Sequence, residues 1–241
     1  EAVKLNLPRI VVISKLDKNQ ADFAGKVEYA RKKLGKQLVP IQIPIGSEAN
    51  FKGVYNLLKP DGVPEEVKGE YDTFREILIE ATAEVDDTIL NDYLENKVIP
   101  EEEIVAAIRT GIETGKIIPI LCTSAAKEIG IEELLNEILD LFPTANKNPH
   151  ASDRGLSAFV FKTMIEPHVG EMSYIRIYSG EIKPSTSVMN LGKGKEERIG
   201  QVSTMRGKTR IDLPSAGAGD IVVLPKLKIT ATGDTMGEKN G

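Results

Sequence analysis

Four residues near the start of the chain, Ser14-Lys15-Leu16-Asp17, carry groups that could act together. They follow Ile10-Val11-Val12-Ile13, whose Val and Ile content fits a short strand buried on both faces of a parallel sheet. The turn after such a strand is where open α/β sheets bind ligands. In an extended segment, Lys15 and Asp17 lean over the same sheet edge because they are two residues apart. A carboxylate fixed there can accept two hydrogen bonds side by side. Guanine presents two adjacent donors, its ring N–H and its exocyclic amine, and adenine does not. A lysine stem can lie on the base while its ammonium stays in water. The same tetrapeptide also fits an ordinary strand-to-helix turn with a solvated lysine and a capping aspartate, since short motifs recur by chance.

A second stretch repeats this logic. Ile117-Ile118-Pro119-Ile120-Leu121-Cys122 reads as a buried strand and runs into Thr123-Ser124-Ala125-Ala126-Lys127. Small residues let backbone amides approach a flat ligand, and one amide could donate to a base carbonyl. Alternatively, Ser-Ala-Ala simply connects to the next helix. At the ends of two parallel strands, the two turns together would form one site.

The elements that must position them follow from periodicity. Phe23, Val27, Ala30 and Leu34 predict a helix over 20–34 with Gly35 as its stop. Residues 39–45 read as a strand, and Pro40 and Pro44 give it an edge or irregular place. Residues 46–58 have no clear period, and Pro60-Asp61-Gly62 is a turn signal. A helical stretch over 71–94 carries Phe74, Leu78, Ala81 and Val85 on one face, with Asp86-Asp87 interrupting it or opening a second helix. Pro100 with Glu101, Glu102 and Glu103 starts another helix, the acids opposing the positive end of the dipole, and Gly115 ends it. Gly130 opens an amphipathic helix over 131–142 with Leu134, Leu135, Ile138, Leu139 and Phe142 apolar. Residues 143–152 read as a linker. Beyond it the period becomes two, with strands expected over 157–163, 174–178, 188–191, 199–205 and 219–224, the pattern of a β-barrel or sandwich. The expected domains are therefore 1–150, of α/β class with an incomplete parallel sheet, and 151–241, all-β.

Composition narrows the class. With 241 residues, 41% apolar and 28% charged, the chain is globular in character. Cys122 is the single cysteine, so a disulfide framework is excluded; it reads as a small core thiol and fits a reducing, cytoplasmic setting. No apolar run approaches the ~20 residues of a membrane span, and the charged start lacks the apolar core of a signal peptide. The net charge of −5 is uneven, at −8 over residues 1–150 and +3 over 151–241. The second part is the better partner for a polyanion. Its basic run, Lys193, Lys195, Arg198, Arg206, Lys208 and Arg210, suits either contact with RNA phosphates or a solvated hairpin partly balanced by Glu196 and Glu197. His150 and His168 are isolated from any metal-ligand spacing, so neither a metal nor a catalytic residue is assigned. Gly207-Lys208-Thr209 is not a phosphate loop, because Val202 stands where its first glycine is needed. Ala216-Gly217-Ala218-Gly219 is not a dinucleotide fingerprint.

Ser14-Lys15-Leu16-Asp17 resembles the Asn-Lys-x-Asp guanine motif of GTPases, and Thr123-Ser124-Ala125 resembles their later Ser-Ala motif. The hundred or so residues between them resemble a translational GTPase with an inserted subdomain. Pro44-Ile45-Gly46-Ser47-Glu48 with Phe51-Lys52-Gly53-Val54 looks like the start of the insert in elongation factor G, and 115–121 looks like its end, so the insert spans about 40–116. Residues 157–163, 169–180, Ala218-Gly219-Asp220-Ile221 and Thr232-Gly233-Asp234-Thr235 resemble that factor's β-barrel domain. The resemblance, to the elongation factor G family, covers essentially the whole chain. It implies that Asp17 pairs with the guanine ring N–H and amine, that Lys15 packs on the base, and that Ser124, Ala125 and Ala126 order the loop at the base carbonyl. Ser14 stands where the family has Asn, which implies weaker nucleotide binding, a local rearrangement or a diverged paralogue.

Further expectations follow from that resemblance. The ligand is GTP or GDP, with Mg²⁺ bound only in an intact parent. The partners are the ribosome, met through its RNA by the barrel, and no membrane; a monomer is expected. The chain lacks an initiating Met and enters a strand within about ten residues, so it reads as a piece of a longer protein. Without a phosphate loop or switch segments in the sequence, it is not expected to hydrolyse GTP alone. The second reading is a non-enzymatic ribosome- or RNA-binding module with a vestigial nucleotide site.

Overall fold

In the computed structural model, the run Ile118–Cys122 lies at the centre of a parallel sheet with every residue buried. The structure describes residues 2–5, 7–59, 62–144, 155–166 and 170–238; Pro60-Asp61, most of the expected linker and both histidines lie outside these. The chain divides into two compact units, Glu1–Pro143 and Thr144–Gly241.

The first unit contains β1 (Val11–Ile13), α1 (Phe23–Leu34), β2 (Leu38–Pro40), β3 (Gln42–Ile45), β4 (Gly53–Asn56), α2 (Lys68–Ala83), α3 (Asp87–Leu94), α4 (Glu101–Thr114), β5 (Ile118–Cys122) and α5 (Ile131–Leu141). The sheet order is β1-β5-β2, all parallel, with Val11 opposite Ile120 and Leu38 opposite Ile118. Alternation along β5 divides its side chains between two cores. Ile118, Ile120 and Cys122 join Phe23, Val27 and Phe74, while Ile117 and Leu121 join Leu78, Ile104, Ile108 and Ile112. Each such side chain withdrawn from water contributes about 1.5–3 kcal/mol. Burial also pushes the Cys122 thiol well up, which makes it an inert core group.

Several expectations change. β1 is a sheet edge, half-buried with Val12 facing solvent, because it pairs with β5 alone among the described residues. The run 39–45 is two strands in two sheets: Pro40 ends β2 at the other edge of the parallel sheet, and Pro44 lies in the β3–β4 hairpin. The stretch without a period, 46–58, contains β4. At Asp86 the helix breaks, because the carboxylate caps α3 by accepting from the amides of Thr88 and Ile89. Leu34 is exposed. In α5 the expected apolar residues divide: Leu135, Ile138 and Leu139 are exposed, while Glu137 and Leu141 are buried. The inward side is fixed by Leu134, Leu141 and Phe142, which pack with α4 residues.

The second unit contains β6 (Ser157–Glu166), β7 (Gly170–Ser179), β8 (Glu181–Ile182), β9 (Ser187–Asn190), β10 (Lys195–Arg198), β11 (Ser203–Arg206), β12 (Thr209–Asp212), β13 (Ala216–Gly217), β14 (Ile221–Pro225) and β15 (Thr235–Gly237). Eight strands form one antiparallel sheet in the order β10-β9-β15-β6-β7-β14-β11-β12, and β8 pairs with β13. Inward residues from across the sheet, including Val160, Ile175, Ile177, Val188, Val222 and Met236, share one core. This is a barrel with alternating inward and outward side chains. Gly207 and Lys208 form the tight turn between β11 and β12.

Glu137 gives the first unit a pH dependence. It is 7% exposed and accepts from Asn56 Nδ2 at 2.5 Å. Burial, and then the charge of Asp140, pushes its carboxyl up to about 7 against the weaker opposing influence of Gln42 and Lys59. The folded chain therefore keeps a proton that the unfolded chain loses near 4.5, so stability is full below that pH and falls as pH rises towards 7. Thermal melts of Glu137→Gln should lose this decline between pH 4.5 and 7; a profile parallel to wild type would contradict it.

Candidate nucleotide-base site

β1 and β5 are parallel neighbours, so their C-terminal ends release two turns side by side. The backbone locks the turns together: Thr123 N–H donates to the Ile13 carbonyl at 3.0 Å and Leu16 N–H to the Thr123 carbonyl at 3.4 Å. Leu16 is buried in the core and anchors the first turn, leaving Lys15 and Lys18 exposed on either side. Lys15 departs from the extended backbone that its sequence suggests. Its φ is 65°, and the Lys18 amide closes a turn onto its carbonyl at 3.1 Å.

Asp17 and Ser124, 107 residues apart, meet here: the Ser124 hydroxyl donates to Asp17 Oδ1 at 2.6 Å. Lys18 Nζ lies 3.1 Å from Asp17 Oδ2, and the Asp17 side chain is only 5% exposed. The Ser124 hydroxyl, followed by Lys18, holds the Asp17 carboxyl below its ordinary range against the cost of desolvation. Each carboxylate oxygen can accept about two hydrogen bonds, so these contacts leave capacity for a ligand edge.

The second turn is equally constrained. Ser124 N–H donates to the Ile129 carbonyl at 2.9 Å, Ile129 N–H returns to Ser124 at 3.1 Å, and Lys127 N–H reaches Ser124 Oγ at 3.3 Å. Ala125 and Ala126 form the exposed tip. Gly130 ends the turn at φ +76°, where a Cβ would stand 2.6 Å from the Cys122 carbonyl, so only glycine fits. Ser14 is exposed and takes no part in these ties. Left-handed backbone at non-glycine residues recurs around the site, at Lys15, Gln20, Glu48 and Glu128. Such conformations cost of order 1–3 kcal/mol and concentrate at functional sites.

The family model of the elongation factor Tu GTP binding domain matches residues 1–144, and that of elongation factor G domain 2 matches residues 155–239. The chain belongs to the elongation factor GTPase family. Together the two matches pair an elongation-factor GTP binding domain with an elongation factor G domain 2, as in a portion of an elongation factor G-like protein. A crystal structure of a Thermus thermophilus protein superposes with a TM-score of 0.85 at 27% identity, over 98% of this chain and 37% of that one. The chain thus spans little more than a third of that protein's length.

In the elongation factor G domain 2 unit, the basic residues separate. Lys193 is committed internally, its ammonium 2.7 Å from Asp234 Oδ2 and 2.6 Å from the Ile229 carbonyl. Arg198 on β10 and Arg210 on β12, from opposite edges of the sheet, line one cavity of about 590 Å³ together with Lys226 and Lys228. Lys195, Arg206 and Lys208 are exposed outside that lining. Glu197 does not balance surface charge: it is 2% exposed and its carboxylate accepts from the amides of Lys228, Ile229 and Thr230. Asp234, held down to about 2 first by Lys193, also accepts from Ala231 N–H and Asn190 Nδ2. Among the described residues, no group of three or more His, Cys, Asp or Glu is arranged to hold a metal ion, and no helix is long and apolar enough to cross a membrane.

Sequence reasoning missed Glu48, Gln20 and Lys127 as parts of the site. Their contacts run through backbone groups, which residue type does not announce. A sharper test concerns Ser124. In Ser124→Ala the carboxyl of Asp17 loses its largest stabilising partner, so its pKa should rise toward the ordinary 3.8. A carbon-detected titration of the Asp17 carboxyl reads this directly; an unmoved midpoint would contradict the assignment.

Proposed function

We propose that the chain is the guanine-recognising and ribosome-contacting portion of an elongation factor G-like translational GTPase acting in ribosomal translocation. The observation that carries this reading is the buried, ionised Asp17 fastened to Ser124 at the ends of two adjacent parallel strands. Asp17 accepts the ring N–H and exocyclic amine of guanine, while adenine offers no such donor pair. Lys15 lays its stem on the base. Ser124 orients Asp17, and the amides of Ala125 and Ala126 meet the base carbonyl. Ser14, too short to brace the turn, leaves the site weaker than one with Asn. Residues of about 40–116 act as an inserted subdomain of the 1–150 nucleotide unit, and 151–241 as the second domain. In this reading the ligand is GTP or GDP and GTP hydrolysis, with Mg²⁺, belongs to the whole factor, a monomer working in the cytoplasm. Arg198 and Arg210, with the exposed Lys195, Arg206 and Lys208, approach ribosomal RNA phosphates. Lys193 is spent on Asp234.

Chemical-shift titrations of the 241-residue chain with GDP and ADP test base selection. GDP should shift the amides of 14–18 and 123–127 and ADP should not, and Asp17→Ala should abolish the difference; equal responses to both would support a vestigial site instead. For the barrel, Arg198→Glu with Arg210→Glu should weaken binding to a ribosomal RNA fragment and flatten its salt dependence, since each phosphate contact adds about one to the log–log salt slope. An unchanged slope would remove these residues from the RNA surface.

A further inference from the structure

The loop 46–51 crosses both turns of the site. We propose that Glu48 is a positioning residue whose carboxylate clamps this loop to the first turn, so that the loop backbone sets the direction of Asp17, an inference that rests on the base-recognition reading above. Its backbone N–H donates to the Leu16 carbonyl at 3.0 Å. That carbonyl belongs to the planar peptide unit joining Leu16 to Asp17. The Leu16 N–H on the other side is held by Thr123. The two bonds fix the backbone on both sides of Leu16, and with it the direction in which Asp17 leaves the chain. The Glu48 side chain secures the far end of the same turn, where Oε1 accepts from Gln20 N–H at 2.6 Å. A carboxylate acceptor makes this a charge-assisted bond, stronger than a neutral one.

The loop also reaches the second turn. Lys127 Nζ donates to the Ala49 carbonyl at 3.0 Å. Its own shape is well determined: a single helical turn spans Glu48–Asn50, and the Phe51 amide closes on the Glu48 carbonyl at 3.1 Å. The Phe51 side chain is 2% exposed in the core. Gly46 enters at φ +76°, where a Cβ would stand 2.2 Å from the Asn50 carbonyl. Glu48 itself holds φ at 53° and Gln20 at 64°, conformations that an unconstrained chain seldom keeps. The loop is thus anchored in the core by Phe51 and meets the first turn through Glu48 and the second through Ala49.

Two readouts on the 241-residue chain test this: hydrogen exchange at the Gln20 amide, and GDP affinity by chemical-shift titration. Glu48→Ala removes the acceptor, while Glu48→Gln keeps an Oε1 acceptor. In Glu48→Ala, Gln20 should exchange at least several-fold faster and GDP affinity should fall roughly tenfold, the lower end of what one hydrogen bond to a charged group contributes. The melting temperature and exchange in α4 should stay unchanged, and Glu48→Gln should recover most of the affinity. Wild-type affinity in Glu48→Ala, when Asp17→Ala has lost binding, overturns this proposal and leaves the base reading standing. A wild-type chain that takes up no GDP, or an Asp17→Ala chain that still binds, overturns the base reading and this proposal with it. A Gln20 amide no faster in Glu48→Ala, or affinity lost only together with melting temperature, overturns the positioning role alone.

Discussion

The pairing of β1 with β5 is the constraint on which the first unit depends. It joins strands from nearly opposite ends of that unit and leaves their turns in contact. The hydrogen bonds between Ile13, Leu16 and Thr123 continue the ladder past the last paired residues, so the turns are an extension of the sheet rather than free loops. Only in that setting can a hydroxyl 107 residues away lie 2.6 Å from a carboxylate. Between them, α1, α2 and α4 cover the faces of β5, and the loop 46–51 braces the turns from outside. The energetic burden falls on β5. Its alternating side chains feed both cores, which fixes its height and therefore the level at which both turns emerge.

The electrostatics of the site follow from the same geometry. Asp17 is nearly inaccessible, yet stays ionised because a hydroxyl and an ammonium favour its charge. Glu137, also nearly inaccessible, lacks such partners in strength and is pushed the other way. Two buried carboxylates in one unit thus carry opposite shifts, set by what surrounds them rather than by burial alone. In the barrel, Glu197 and Asp234 are devoted to loop amides and to Lys193, an inward use of charge. That use withdraws Lys193 from the basic run and leaves Arg198 and Arg210 facing one cavity.

Much of this was legible in the sequence. The two turn motifs, the buried strand 117–122, the helices capped by Asp86 and ended by Gly115, and the change to period two from residue 157 all follow from local residue pattern. What was not legible depends on neighbours. Val11–Ile13 has the composition of a strand buried on both faces, but among the described residues it pairs with β5 alone and is only half-buried, and composition does not count a strand's neighbours. The apolar stripe of α5 suggests an inward face, whereas Glu137 turns inward because Asn56 on β4 supplies a donor to it. Glu197 reads as surface charge because its three partners are amides some thirty residues downstream. Glu48 and Lys127 escaped for the same reason: both meet backbone atoms whose positions only the fold supplies.

The central claim is that Asp17, aimed by its neighbours, selects a guanine edge. A crystal structure of the chain grown with GDP tests it most directly. The account predicts the guanine ring N–H and exocyclic amine at about 2.7–3.2 Å from the two Asp17 oxygens, with the Lys15 stem against the base face. A guanine bound elsewhere, or bound at these turns with Asp17 still paired only to Ser124 and Lys18, would contradict it.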